Sequence, residues 1–281
     1  MQQGGRVFDY EIDIAGLVNG IFDTIVELYG NLFRDISDVI ECIFELAIDF
    51  LLVPPEFILI IAIGLVLWKV ANLRIASFGV ASLIFISMMG LWNQAVDTMV
   101  LVLFATTFSL ALAIPVGIIM GISDKLSSLF RPILDLMQTM PAFVYLIPAV
   151  MFFGVGKVPA IFATVVFAVP PPIRLTELGI RQVDPEAVEA GRAFGSTPWQ
   201  LLMKIQLPLA VPTIAAGINQ CVMLSLSMAV ISSMIGAGGL GGEVLYGINR
   251  LDVGHGFEAG ISIVLLAIML DRMAANIKKE A

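Results

Sequence analysis

Apolar residues run along this chain in blocks, and the blocks change character after residue 55. From residue 11 to 52 the pattern is amphipathic. Ile14, Leu17, Val18, Ile21, Phe22 and Ile25 recur at helical spacing, with acids falling mostly between them. Gly30-Asn31 predicts a division of this stretch into two helices, and Pro54-Pro55 ends it. A helix pair lying on a membrane surface fits this pattern, as does a scaffold that receives a partner there. Beyond Pro55 the blocks become long and uncharged. Residues 98–123, 137–156 and 205–242 contain no Asp, Glu, Lys or Arg. About 20 apolar residues cross a bilayer, and one charge at the centre of a span costs about 2.5–3.5 kcal/mol.

These blocks predict seven spans, at about 57–68, 75–92, 96–122, 133–155, 158–173, 209–235 and 257–273. Pro115 predicts a kink in the third, and the run 140–148 (MPAFVYLIP) breaks regular helix bonding in the fourth. Pro170-Pro171-Pro172 closes the fifth. If the spans alternate, Lys69, Arg74, Lys125, Arg131, Arg174, Arg181, Arg192, Lys204, Arg272, Lys278 and Lys279 share one side. Only Arg6, Arg34, Lys157 and Arg250 fall on the other. The basic side is cytoplasmic. The N-terminus is then outside and the C-terminus cytoplasmic.

The longest polar interruption of the second half is 184–208, DPEAVEAGRAFGSTPWQLLMKIQLP. It predicts two short helices joined by a glycine turn. Asp184 suits an N-cap, Pro185 the first helical position, and Glu186 and Glu189 the positive end of the dipole. Gly195 suits the left-handed residue that ends a helix. Thr197, Pro198 and Gln200 repeat the start signal as a capping box, and Pro208 predicts a stop at Leu207. On the inner side of a membrane, such an elbow can be a stiff lever for a soluble partner.

The spacing resembles a known family. Glu189-Ala190-Gly191, three residues, Gly195, nine residues, then Ile205, Leu207 and Pro208 follow the E-A-A loop of permease subunits of ATP-binding-cassette (ABC) importers. The second alanine of that motif is Gly191 here, and glycine costs a helix about 1 kcal/mol. The runs LDLMQTMPAFVYLIP, GSTPWQLLMKIQLPLAVPTIAAGINQ and SLSMAVISSMIGAGGLG also resemble the permeases of glycine betaine, proline betaine and choline importers. That likeness extends from about Trp92 to Ile277 and is weaker before it.

The resemblance implies an all-α membrane protein, a polytopic helical bundle with a five-helix permease core. Two N-terminal spans and the amphipathic segment precede that core. The divisions are then 1–56, an extracytoplasmic amphipathic segment; 57–92, two accessory transmembrane helices; and 93–281, the core with its coupling loop at 184–208. It further implies two copies of an ATPase subunit carrying ATP and Mg, an extracytoplasmic substrate-binding protein, and a second copy of this chain. The coupling residues would be Asp184, Glu186, Glu189, Ala190, Gly191, Gly195, Ile205, Leu207 and Pro208. The chain itself would be a non-catalytic subunit in a prokaryotic plasma membrane, with no cofactor of its own.

Composition agrees with the membrane class. The chain is 59% hydrophobic and 14% charged, against about half and a quarter in soluble domains. Of the net charge of −8, much lies before Pro54, in Asp9, Glu11, Asp13, Asp23, Glu27, Asp35, Asp38, Glu41, Glu45 and Asp49. This is no nucleic-acid footprint. Cys42 and Cys221 fall in different settings and predict no disulfide. A lone His255 predicts an exposed loop residue and no metal site.

Gly236-Ala237-Gly238-Gly239-Leu240-Gly241 matches G-x-G-x-x-G, but a dinucleotide site needs a preceding strand. The run predicts a flexible outer loop or gate through Gly236, Gly238, Gly239 and Gly241. No P-loop motif occurs, so no ATP hydrolysis of that type is expected here.

In the sixth span Asn219, Ser225, Ser227, Ser232 and Ser233 suit either helix packing or a wetted path, and Asn219, Met223 and Ser227 are the path candidates. Glu258 and Asp271 bracket a run too short to span alone, so one of them sits near membrane depth or pairs with Arg272 at an interface. Arg174, Glu177 and Arg181 predict a salt-bridged helix face. Three rival readings stay open from residues alone: an ion-gradient transporter, a non-transporting scaffold, and a permease for methionine or another small solute.

Overall fold

A computed structural model describes residues 13–276 of the chain. Arg6, Asp9, Glu11, Lys278 and Lys279 lie outside the described residues, as do the side chains of Ile14 and Leu17. Within them the fold is helical throughout.

Helix α1 (Ile14–Leu52) starts where Asp13 accepts a hydrogen bond from Gly16 N at 2.7 Å. It is one helix of 39 residues, not the expected two. A lone interior glycine costs about 1 kcal/mol. Apolar contacts on both sides of Gly30 offset that cost. Phe22 and Phe33 pack on Phe152 at 5.3 and 4.8 Å between ring centroids, and Phe44, fully buried, packs on Phe104 at 5.7 Å. A second apolar stripe, including Leu28, Leu32, Val39, Leu46 and Phe50, is exposed. The helix therefore packs on the bundle with one stripe and presents the other outward. It stops before Pro54-Pro55, and α2 (Glu56–Val70) leaves at 102°.

α2 and α3 (Leu73–Met88) form a hairpin, with Asn72 capping α3 at Ile75 N. At the open end of the hairpin the Ser87 hydroxyl donates to the Glu56 carboxylate. At 1.5 Å per residue each is about 23 Å long, short of a hydrocarbon core of about 30 Å. Trp92 belongs to the next helix rather than to this one. α4 (Trp92–Ile122) runs 31 residues through Pro115.

The predicted fourth span is not one straight crossing. α5 (Asp124–Thr139) and α6 (Leu146–Phe153) meet at 110° across a tight turn at Ala142–Tyr145. Met140 is extended (φ −72°, ψ 137°), as the residue before Pro141 is driven to be.

The fifth span runs past its predicted end. α7 (Lys157–Ala168) and α8 (Pro170–Arg181) join through a helical Val169, giving a 25-residue helix, Lys157–Arg181. Prolines lack the N–H but have a helical φ, and all three are buried here. Packing holds the helix together where hydrogen bonds are missing. A Cβ at Gly217 would lie 3.0 Å from Pro172 Cα. At Gly117 it would lie 2.7 Å from the Ile173 carbonyl oxygen. Small residues thus let α4, α8 and α11 (Leu207–Ile231) approach backbone to backbone.

Among the described residues, four helices are long and apolar enough to cross a membrane alone: Trp92–Ile122, Lys157–Arg181, Pro198–Ile235 and Val253–Asn276. Counting each bent pair as one span gives up to six, against the seven predicted. The core spans persist as α4, α5–α6, α7–α8, α11 and α13 (Val253–Asn276).

Candidate functional site

The polar stretch 184–208 folds as two helices at the end of the bundle where α8 stops. Asp184 Oδ1 accepts from Glu186 N at 2.9 Å and starts α9 (Pro185–Ala193). Gly195, at φ +79°, turns the chain, and the N–H groups of Gly195 and Ser196 reach back to the carbonyls of Arg192 and Gly191. Thr197 N then donates to Gln200 Oε1 at 2.9 Å and Gln200 N to Thr197 Oγ1 at 3.3 Å, the capping box of α10 (Pro198–Leu201).

The expected stop before Pro208 is absent. A wide π turn, Leu202–Gln206, carries the chain into α11, and Pro198–Ile235 is a continuous 38-residue apolar run. Pro208 has no N–H to give the preceding turn. It follows directly on the wide turn, where Leu207 N already bonds back to Leu202 O, and the chain stays helical. The second arm of the elbow is therefore helically continuous with a run long and apolar enough to cross a membrane.

Gly191, the departure from the motif, is buried where α9 crosses α10 and the π turn. A Cβ there would lie 2.9 Å from Leu201 Cδ1 and would collide with Ile205 Cδ1. Both atoms are the ends of flexible side chains, so the glycine lets Leu201 and Ile205 settle closely over α9. Ile205 and Leu207 are half-buried beneath the arms, while Glu186, Glu189, Ala190 and Pro208 are exposed. Two residues outside the predicted set stand out: Phe194 and Trp199 are 90% and 67% exposed on either side of the glycine turn. The available signal was two aromatics within a stretch otherwise polar enough to be solvated.

The path candidates divide. Met223 and Ser227 lie one turn apart on an exposed stripe of α11, and the Ser227 hydroxyl donates to the Met223 carbonyl at 3.0 Å. Asn219, one turn earlier on the same row, is half-buried instead. Its Nδ2 donates to Asp271 Oδ1 of α13 at 3.0 Å. Asp271 thus serves a helix–helix contact as well as its 3.9 Å approach to Arg272. Ser225, Ser232 and Ser233 are buried, in helix packing.

The expected salt-bridged face is also rearranged. Glu177 and Arg181 pair at 3.0 Å, whereas Arg174 pairs with Asp135 of α5.

At the opposite end, the run 236–241 is ordered rather than a flexible loop. A short turn, Ser232–Ile235, precedes it, and Gly239 begins α12 (Gly239–Arg250). Leu240 N donates to Thr98 Oγ1 of α4 at 2.8 Å, so the run is clamped. A Cβ at Gly241 would lie 2.9 Å from Val230 Cα. His255 is not a free loop residue. It lies in α13, with Nε2 2.7 Å from Glu243 Oε2, and Gln94 Nε2 donates to the other oxygen of that carboxylate at 3.0 Å. Lys157 pairs with Asp97 at 2.9 Å and sits over the Phe44 ring at 4.9 Å, tying α1, α4 and α7 together. Cys42 is exposed and Cys221 buried, both as free thiols.

The overall helix arrangement is similar to solved inward-facing structures of the MetNI methionine ABC transporter. One superposes with a TM-score of 0.58 at 22% identity, over 62% of this chain and 88% of that one. At that identity the likeness is one of fold. In sequence, the chain is 46% identical to the glycine betaine/carnitine transport permease protein GbuB of Listeria monocytogenes serotype 1/2a (strain 10403S), over 95% of each chain. It is 45% identical to the glycine betaine/proline betaine transport system permease protein ProW of Escherichia coli (strain K12), over 92% of this chain and 73% of that one. Against the glycine betaine transport system permease protein OpuAB of Bacillus subtilis (strain 168) the identity is 43%, over 95% of each. Residues 113–280 match the binding-protein-dependent transport system inner membrane component family, and this chain belongs to it as a multi-pass permease subunit of an ABC importer.

Proposed function

We propose that this chain forms the translocation path of an ATP-driven importer for a quaternary-ammonium osmolyte: glycine betaine, proline betaine or choline. The observation that carries the substrate class is the 43–46% identity, over nearly the whole chain, to permeases named for glycine betaine. Two copies of the chain pair with two copies of an ATPase subunit, and a binding protein delivers solute from outside. ATP and Mg belong to the ATPase, and this chain contributes no catalytic group. The basic ends of the spans and the elbow face the cytoplasm, with the N-terminus outside.

The elbow is the lever. Its exposed face, with Glu186, Glu189, Phe194 and Trp199, docks on the ATPase. Closure of the ATPase dimer displaces the elbow, and the helical run 198–235 carries that displacement across the bilayer. Met223 and Ser227 lie on the face of α11 that solute passes. Gly236, Gly238, Gly239 and Gly241 shape the outer gate as a clamped turn.

The test is co-reconstitution with the ATPase and binding protein in proteoliposomes. Radiolabelled glycine betaine is expected to accumulate only with ATP. Glu189→Lys, which reverses a charge on the exposed docking face, is expected to abolish uptake while insertion stays normal. Uptake driven by an ion gradient without the ATPase would overturn the proposal.

A further inference from the structure

Arg181 closes α8 three residues before the elbow's Asp184 cap. Its guanidinium has three different partners. Nε lies 3.0 Å from Glu177 Oε1, Nη1 donates to Asp124 Oδ1 at 2.6 Å, and Nη2 donates to the Met120 carbonyl at 2.8 Å. One side chain thus joins the root of the elbow to the end of α4 and the start of α5.

Glu177 is the centre of the cluster. It is only 4% exposed, and Oε1 also accepts from Ser127 Oγ at 2.6 Å and Arg131 Nη2 at 2.9 Å, both on α5. One turn back, Arg174 holds Asp135, also on α5. Charged contacts therefore fasten α5 to α8 at successive levels.

The contrast with the neighbouring contacts is physical. α4, α8 and α11 are locked by backbone-to-backbone packing at glycines. α5 meets this block with larger side chains, among them Leu134 and Phe130 near Ile173. Apolar surfaces are non-directional and tolerate sliding. A buried carboxylate does not tolerate separation from its donors. α5 also continues through the 110° bend into the turn and helix that expose Phe143 and Ile147.

We infer that Glu177 is a positioning residue that makes α5, and with it the bent α5–α6 limb, follow the elbow through Arg181. Force then leaves the elbow by two routes, forward through the run 198–235 and backward through α8. This rests on the proposed importer function and adds a second transmission path to it.

The experiment uses the complete transporter in proteoliposomes, with solute uptake and ATP hydrolysis measured in the same vesicles. Glu177→Gln keeps shape and removes charge. It is expected to lower the uptake-to-hydrolysis ratio at least tenfold. Glu177→Asp should stay within about threefold of wild type, and Ser127→Ala should lower the ratio about twofold to threefold. A merely structural role would depress uptake and hydrolysis together and leave the ratio unchanged, which overturns the inference. If Glu177→Gln does not assemble, Ser127→Ala and Arg131→Lys are judged by the same ratio, and wild-type values in both overturn it. A wild-type complex without ATP-dependent uptake defeats the importer function itself, and is distinguished because no variant is needed to see it.

Discussion

Of the glycine turns in the permease core, two at opposite ends, at Gly195 and Gly239, use glycine differently. At Gly195, φ is +79° and a Cβ would meet nothing within 4 Å. At Gly239, φ is +64° and a Cβ would lie 2.5 Å from Thr98 Oγ1. The elbow turn needs glycine for its backbone conformation alone. The opposite turn needs it for conformation and for space, because α4 presses against it. The lesson is about partners. The filled turn has already found its neighbour inside the chain. The open turn leaves Phe194 and Trp199 exposed beside it, as the docking role proposed for the elbow requires.

That comparison can be broken most easily at the filled turn. Gly239→Val places a β-branched side chain at positive φ and against Thr98. Left-handed strain and overpacking together should cost about 3 kcal/mol, read as a lowered unfolding midpoint in detergent. Next in size, Trp199→Ala and Phe194→Ala should leave that midpoint unchanged. Each should weaken binding to the ATPase by about 2 kcal/mol, roughly thirtyfold, as exposed aromatic anchors do. Titration of the ATPase onto permease in nanodiscs measures it, and a shifted midpoint would mean the elbow is self-packed. Thr98→Val keeps the volume but orphans the buried Leu240 N–H. A loss of about 1–2 kcal/mol in the same unfolding assay is expected. Gly195→Ala should cost about 1 kcal/mol from backbone strain alone, and Gly195→Asn a few tenths, since asparagine tolerates the left-handed region. Equal losses for alanine at 195 and valine at 239 would erase the distinction.

The elbow was the most legible part of the chain. Its signals are local: Asp184 caps a group two residues on, and Thr197 and Gln200 cap each other across three. Such bonds depend on residue type and spacing, which one sequence displays in full. The prolines were misread for the opposite reason. Pro170–Pro172 and Pro208 each signal a stop when only the missing N–H is counted. Whether a helix survives that loss depends on what packs around it, here Gly217 against Pro172 and a π turn ahead of Pro208. His255 was read as exposed because its partner, Glu243, sits on another helix.

The sequence by itself determined the membrane class, the helical composition of the bundle and both caps of the elbow. These follow from runs of apolar residues and from contacts a few positions apart. Only the tertiary structure decided that α1 is unbroken and that the break expected at 140–148 turns the chain by 110°. It alone decided that Gly191 is a point of close approach and that Glu177 gathers Ser127, Arg131 and Arg181 around one carboxylate. Each of those rests on surfaces brought together from distant parts of the chain. Their packing can outweigh a helix-breaking residue or hold a charge in the interior, and no local pattern records which surfaces will meet.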